Sequence, residues 1–119
     1  YEIGLVFHLA AQTQVLTAHR SPLETLEGNV RGTYLLLDAA RSRPQPPAVV
    51  VASSDKAYGE HETLPYDETA ALRGEHPYDA SKSCSDLIAR MYAVTFGVPV
   101  AITSPGSSVM FVEMKLTSL

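Results

Sequence analysis

Ala48-Val49-Val50-Val51-Ala52 runs straight into Ser53-Ser54-Asp55-Lys56-Ala57-Tyr58-Gly59, and this junction decides the fold. A short, continuously apolar run bounded by polar residues reads as a buried strand of a parallel sheet. Open α/β sheets bind their ligands beyond the carboxyl ends of such strands. Ser54, Asp55 and Lys56 therefore stand where chemistry is expected. Farther on, Tyr78-Asp79-Ala80-Ser81-Lys82 places a phenol and an ammonium four residues apart at the start of a helix. Residues at that spacing share a helix face.

Working outward, Ile3 to Leu9 is a second apolar run, expected to be a strand covered on both faces. Ala10-Ala11-Gln12 follows as a small-residue turn. A helix is expected from Pro22 to Arg41, with Ser21 as N-cap, Pro22 at the first position and Glu24 at the capping-box position. Leu23, Leu26, Val30, Leu35 and Leu37 supply its apolar surface, and Gly28 and Gly32 would admit a close approach to a sheet. Pro44, Pro46 and Pro47 end it. After the Ala48–Ser53 strand, residues 59–77 form a long polar loop. Tyr78 to Phe96 reads as a helix with Cys84, Leu87, Ile88, Met91 and Val94 on or near one face. Gly97 stops it, and Val98 to Thr103 makes a third strand. The order is βαβαβ, the pattern of a parallel sheet in the α/β class.

Composition narrows the function. A chain of 119 residues suits one small domain, and its net charge of −4 argues against nucleic acid or an anionic membrane as partner. No apolar stretch is long enough to span a bilayer, and no secretory leader is present. Cys84 is the single cysteine, which excludes an internal disulfide and fits a reducing cytoplasm. The chain opens at Tyr1 almost directly into a strand, as expected of a piece of a longer protein.

The candidate site handles protons. A phenol is a poor base at its free pKa of about 10, but a neighbouring ammonium favours the phenolate. Tyr78 and Lys82 form one such pair. Ser54 can hold the same substrate oxygen, and Asp55 with Lys56 adds a second acid/base pair. Two stations fit a multistep reaction better than a simple hydride transfer. The duller readings are ordinary. A Tyr-x-x-x-Lys pair alone is an exposed helix pair, and Asp55 alone is a turn residue. His8 reads as a hydrogen-bonded core residue, His61 and His76 as solvated, and Cys84 as helix packing. The histidines show no metal-ligand spacing.

The chain resembles the extended short-chain dehydrogenase/reductase superfamily, within it the NAD-dependent nucleotide-sugar epimerases and dehydratases. The matched segments are Val6 to Gln12, Asn29-Val30-Arg31-Gly32-Thr33, Ser53 to Gly59, Pro77 to Lys82, and the strand Val98 to Thr103. Ser-Asp-Lys at 54–56 is most similar to the CDP-glucose 4,6-dehydratases. The resemblance implies that Tyr78 removes the sugar hydroxyl proton during C4 oxidation and that Lys82 assists it and holds the nicotinamide ribose. It implies that Ser54 orients the 4-oxygen, Asp55 protonates the departing 6-hydroxyl and Lys56 assists at C5. Ala10, Ala11 and Ser53 would line the cofactor, NAD or NADP, and Asn29 would support the site. The implied fold is a portion of a Rossmann-type, doubly wound parallel sheet, the implied substrate a nucleotide sugar and the implied assembly a homodimer.

Two departures stand out. No Gly-x-Gly-x-x-Gly or Gly-x-x-Gly-x-x-Gly loop occurs, so the N-terminal glycine-loop half of the Rossmann domain is expected to be absent. After Thr103 the sequence reads Ser104-Pro105-Gly106-Ser107-Ser108-Val109 where relatives carry an Arg-x-Gly-Asn-like turn. Residues 1–103 are thus assigned to the Rossmann domain and 104–119 to a divergent tail, with the C-terminal substrate domain lacking. The chain alone is expected to bind NAD weakly. A 4-epimerase or C4 oxidoreductase is the rival inside the enzyme class, and a truncated, non-catalytic chain the rival outside it.

Overall fold

The computed structural model describes residues 2–58, 72–103 and 110–111; most of the expected polar loop (59–71) and most of the tail (104–109 and 112–119) lie outside them. Strand β1 is Leu5–His8 and helix α1 is Val15–Arg20. Helix α2, Pro22–Leu26, runs through a five-residue π turn, Glu27–Arg31, into α3, Gly32–Arg41. Strand β2 is Ala48–Ala52, followed by a 3₁₀ turn at Asp55–Tyr58. Helix α4 is Pro77–Phe96, strand β3 is Val100–Thr103, and β4 is Met110–Phe111. The sheet order is β1-β2-β3-β4. The first three strands are parallel and in register through Phe7↔Val50↔Ala101, and β4 pairs antiparallel with β3. The α/β parallel reading holds. Neither α1 nor β4 is among the expected elements.

The sheet has one built face. Val49, Val51, Val100 and Ile102 are buried, whereas Ala48, Val50, Ala52, Ala101 and Thr103 between them are half-buried. The buried set packs with Val6 against Leu37, Ala40, Ala89, Tyr92 and Ala93 of α3 and α4. Both βαβ connections therefore carry their helices to the same side. Strand β1 was expected to be covered on both faces, but Leu5 and Phe7 are 51% and 63% exposed. Among the described residues no helix lies over that side.

The helices invert the expected pattern. On α4 the buried residues are Tyr78, Ser81, Lys82, Ser83, Ser85, Asp86, Ala89, Tyr92 and Ala93. Cys84, Leu87, Met91 and Val94 face outward. Likewise Thr25, Asn29, Thr33, Leu37 and Ala40 are buried while Leu23 and Leu35 are exposed. Small side chains let two helices and a sheet approach closely, and their hydroxyls are satisfied by carbonyls of nearby turns: Thr33 Oγ1 donates to Asn29 O at 2.7 Å and Ser85 Oγ to Ser81 O at 2.8 Å. The outward stripes are what the hydropathy pattern marks most strongly. Gly28 and Gly32 make no close approach: a Cβ at either would meet nothing within 4 Å.

Helix ends obey local rules unevenly. Ser21 makes no side-chain cap; it is also the C-cap of α1, where its N–H donates to Thr17 O. Pro22 and Pro77 each begin a helix where a missing N–H costs nothing. Gly97 ends α4 at φ +69°, with Val98 N–H donating to Tyr92 O at 3.3 Å. Gly97→Ala is expected to destabilise the chain by about 1 kcal/mol, read as a lower urea midpoint with an unchanged slope.

Candidate functional site

The site grows from the carboxyl end of β2. Ser53 and Ser54 leave the strand, and Ala57 N–H closes on Ser54 O at 3.0 Å to form the 3₁₀ turn. Ser54 Oγ accepts the Lys56 N–H at 3.2 Å. Lys56 is exposed on this turn. The side chain of Asp55 lies outside the described residues. In register beside β2, β1 ends at His8, so Ala10 (exposed) and Ala11 (half-buried) leave the sheet at the same end as Ser53.

The first turns of α4 bring Tyr78 and Lys82 to that end. Tyr78 is 8% and Lys82 7% exposed. Lys82 Nζ lies 5.9 Å from the Tyr78 ring centroid and donates to Ala52 O at 3.2 Å. The phenol, the ammonium and the end of β2 are thus one assembly. Burial lowers the Lys82 pKa, and the negative charge of Asp86 opposes that shift. His8 sits half-buried with Nε2 3.1 Å from Thr33 Oγ1. Its pKa is lowered by burial and by the Lys82 charge. Because Thr33 Oγ1 donates to Asn29 O, it accepts from His8, which fits a neutral imidazole protonated at Nε2.

Asn29, expected to support the site, is 2% exposed inside the π turn. Its Nδ2 donates to Gln12 O at 3.0 Å and to Ser81 Oγ at 2.9 Å, and its Oδ1 accepts the Gln12 N–H at 2.7 Å. Its backbone oxygen accepts from the Thr33 hydroxyl and lies 3.0 Å from Ser85 Oγ, whose single proton it shares with Ser81 O. A π turn widens the helix and loosens its hydrogen-bond ladder locally, and such turns gather at functional sites. Here it frees a carbonyl for hydroxyls of two helices. Ser81 Oγ then donates to Tyr78 O at 2.6 Å. One amide joins the exit of β1, the α2–α3 helix and the turn that carries Tyr78.

Sequence reasoning missed three residues. Asp86 is 2% exposed, accepts the Ser53 hydroxyl at 2.7 Å through Oδ2, and has no hydrogen-bond partner at Oδ1 among the described residues. Its place four residues after Lys82 on one helix face could have revealed it. Ser83 Oγ donates to Ala57 O at 2.5 Å and accepts the Gly74 N–H at 3.0 Å. It ties the Lys56 turn to the segment before α4. At Gly74 a Cβ would lie 2.3 Å from the Asp79 carbonyl carbon, so only glycine fits. Neither residue had a sequence signal, since both matter through contacts distant in the chain. Among the described residues no group of three metal-ligating side chains occurs.

With this geometry in place, the profile of the family described as GDP-mannose 4,6 dehydratase matches residues 1–118. The chain belongs to this family. It is 38% identical over 96 residues to the CDP-glucose 4,6-dehydratase of Salmonella typhimurium, covering 80% of this chain and 27% of that protein. Its structure is similar to DesIV, a dTDP-glucose 4,6-dehydratase from Streptomyces venezuelae solved with NAD bound: TM-score 0.78, 34% identity, 87% of this chain and 34% of that one. The UDP-glucose 4-epimerase of Brucella ovis in complex with NAD is also similar, with TM-score 0.77, 32% identity, and 85% and 31% of the two chains covered. The chain thus spans about a third or less of the length of these proteins. Membership bears out the resemblance read from the motifs, and the similar solved structures include both a dehydratase and an epimerase.

Two outcomes are expected of the chain. Asn29→Ala leaves several buried groups unpaired and should cost about 2–4 kcal/mol in urea unfolding. Burial raises the Asp86 pKa from 3.8 to about 6, against the Ser53 hydrogen bond and the Lys82 and Arg90 charges. The folded state therefore holds this proton more tightly than the unfolded state. The contribution is fully present below about pH 4 and is lost as pH rises through 6. Relative to Asp86→Asn, the native chain should lose about 2 kcal/mol of stability between pH 4 and pH 7, measured as paired urea midpoints across that range.

Proposed function

We propose that this chain carries the proton-handling centre of an NAD-dependent nucleotide-sugar 4,6-dehydratase. The observation that carries the reading is the buried Lys82 ammonium against the Tyr78 ring at the end of β2. Lys82 makes one hydrogen bond among the described residues, and an ammonium has three donors. The others can take ribose hydroxyls, so these residues fit NAD. When bound, NAD supplies the acceptor for a hydride and returns it.

The chain's own residues divide the remaining work. Tyr78 takes the proton of the sugar 4-hydroxyl, favoured by the adjacent ammonium. Ser54 holds the 4-oxygen. Once C4 is a ketone, the C5 proton becomes acidic. In this reading Lys56 takes it, and because it is exposed here, bound substrate must desolvate it before it acts as a neutral base. Asp55 delivers a proton to the 6-hydroxyl as it leaves as water. Ala10, Ala11 and Ser53 line the cofactor, and Asn29 fixes the frame.

The same oxidation at C4 followed by return of hydride to the other face gives a 4-epimerase, and the similarity to the Brucella ovis enzyme favours keeping that second reading. The missing glycine loop leaves the pyrophosphate without its usual backbone cradle within these residues, so NAD binding by this chain alone is proposed to be weak. A homodimer is proposed through the exposed Leu23, Leu35, Leu87, Met91 and Val94 on neighbouring helices. Among the described residues no helix is long and apolar enough to cross a membrane, and a cytoplasmic setting is proposed from the free, exposed Cys84.

The test uses the full protein that carries this chain, incubated with NAD and CDP-, dTDP- or GDP-hexose. A 4-keto-6-deoxy product, seen by its absorbance in alkali, is expected, and a C4 epimer alone would sink the dehydratase reading. Tyr78→Phe should lower turnover about 10²–10⁴-fold. Asp55→Asn should impair elimination more than C4 oxidation, and equal losses would remove Asp55 from its role.

A further inference from the structure

Asp86 is a buried carboxylate on the polar inner face of α4, and one of its oxygens is unpaired among the described residues. It lies one helical turn beyond Lys82, beneath the end of β2, 2% exposed. One oxygen is committed to Ser53, and the other has no hydrogen-bond partner among the described residues. A buried charge left half-satisfied is costly. An asparagine or a serine would hold Ser53 as well without the charge, so the hydrogen bond alone does not explain a carboxylate.

The neighbouring charges explain it better. Lys82 is itself buried, and burial alone favours the neutral amine. The other groups around the pair do not compensate for this. His8 of β1 is held neutral by burial and by the Lys82 charge. Arg90, the next cation along α4, is exposed, and its sign would oppose an ammonium. Asp38 of α3 is taken up by Arg41 at 2.9 Å and by the Tyr92 hydroxyl at 3.2 Å. Among the described residues, Asp86 is therefore the anion whose charge acts on Lys82, one turn away on the same helix.

We infer that Asp86 is a positioning residue that anchors Ser53 with one oxygen and, as a buried negative charge, keeps Lys82 an ammonium beneath Tyr78. Its meaning for catalysis rests on the reading proposed above, but the electrostatic coupling does not. Ser53 and Lys82 both meet the last residues of β2, one through its own backbone and one through Ala52 O. One carboxylate thus governs both a strand-end hydroxyl and the charge of the group beside it.

The coupling can be read without any nucleotide or sugar. Side-chain NMR of the 119-residue chain, with Lys82 assigned by Lys82→Arg, follows the Lys82 Cε resonance against pH. In Asp86→Asn the Lys82 midpoint is expected to move to lower pH, and Asp86→Glu should move it back towards the native value. An unchanged midpoint in Asp86→Asn would overturn the inference, as a merely structural aspartate predicts. If Asp86→Asn does not fold, the native chain still decides. Its Asp86 carboxyl carbon should show a second, alkaline inflection as Lys82 loses its proton, absent in Lys82→Arg. A single inflection would overturn the inference. In the full protein, the alkaline limb of the rate profile should move the same way in Asp86→Asn. Loss of all dehydratase and epimerase activity in the native protein would sink the proposed function while leaving the NMR result standing.

Discussion

The fold depends on satisfying one buried amide. Asn29 sits where the exit of β1, the α2–α3 helix and the first turns of α4 converge, and every polar atom of its side chain is paired across those elements. An apolar residue there could fill the volume but could not set distances between three backbones. The π turn is the local distortion that allows it, since it frees Asn29 O for the hydroxyls of Thr33 and Ser85. Through Ser81 the same network reaches the backbone of Tyr78. Alignment of the phenol with the end of β2 therefore follows from hydrogen-bond geometry more than from hydrophobic contact.

A second layer of polar ties finishes the site. Ser53–Asp86 pins the strand end to α4, while Ser83 pins the Lys56 turn to the segment around Gly74. Each tie links residues far apart in sequence and close to a candidate reacting group. Polar networks of this kind are rigid when complete and costly when broken. The helices can afford small, hydroxyl-bearing inner faces because the strands supply the apolar side of the core through Val49, Val51, Val100 and Ile102.

Much of this was legible beforehand. The apolar run at 48–52 marked a buried strand because a short, continuously apolar stretch bounded by polar residues has a strand's length and composition. Gly97 marked a helix end because a left-handed turn excludes other residues cheaply. The pairing of Tyr78 with Lys82 followed from helical spacing alone. The inner faces of the helices were not legible. Leu23, Leu87 and Val94 dominate any hydropathy count, yet they point outward, and Thr25, Ser81 and Ser85 point in. Periodicity locates a stripe but does not say what it faces. The short helix at 15–20 lacks apolar periodicity and is held by its neighbours; β4 is two residues defined only by its partner. Gly74 and Ser83 act through contacts that one-dimensional spacing does not encode.

The arrangement of the sheet also grades its protection from solvent. Strand β2 is laddered on both sides and packed under two helices, so its amides open only when much of the domain does. Among the described residues strand β1 is laddered on one side, and Leu5 and Phe7 alternate outward from it. Its breathing should expose the exit loop at Ala10–Ala11 without disturbing Val49 or Val51. The two walls of the candidate cofactor site thus belong to units of unequal stiffness: a fixed floor at Ser53, Tyr78 and Lys82, and a yielding rim at Ala10 and Ala11. Within the described residues, protection falls from the reacting groups outward to the exit of β1.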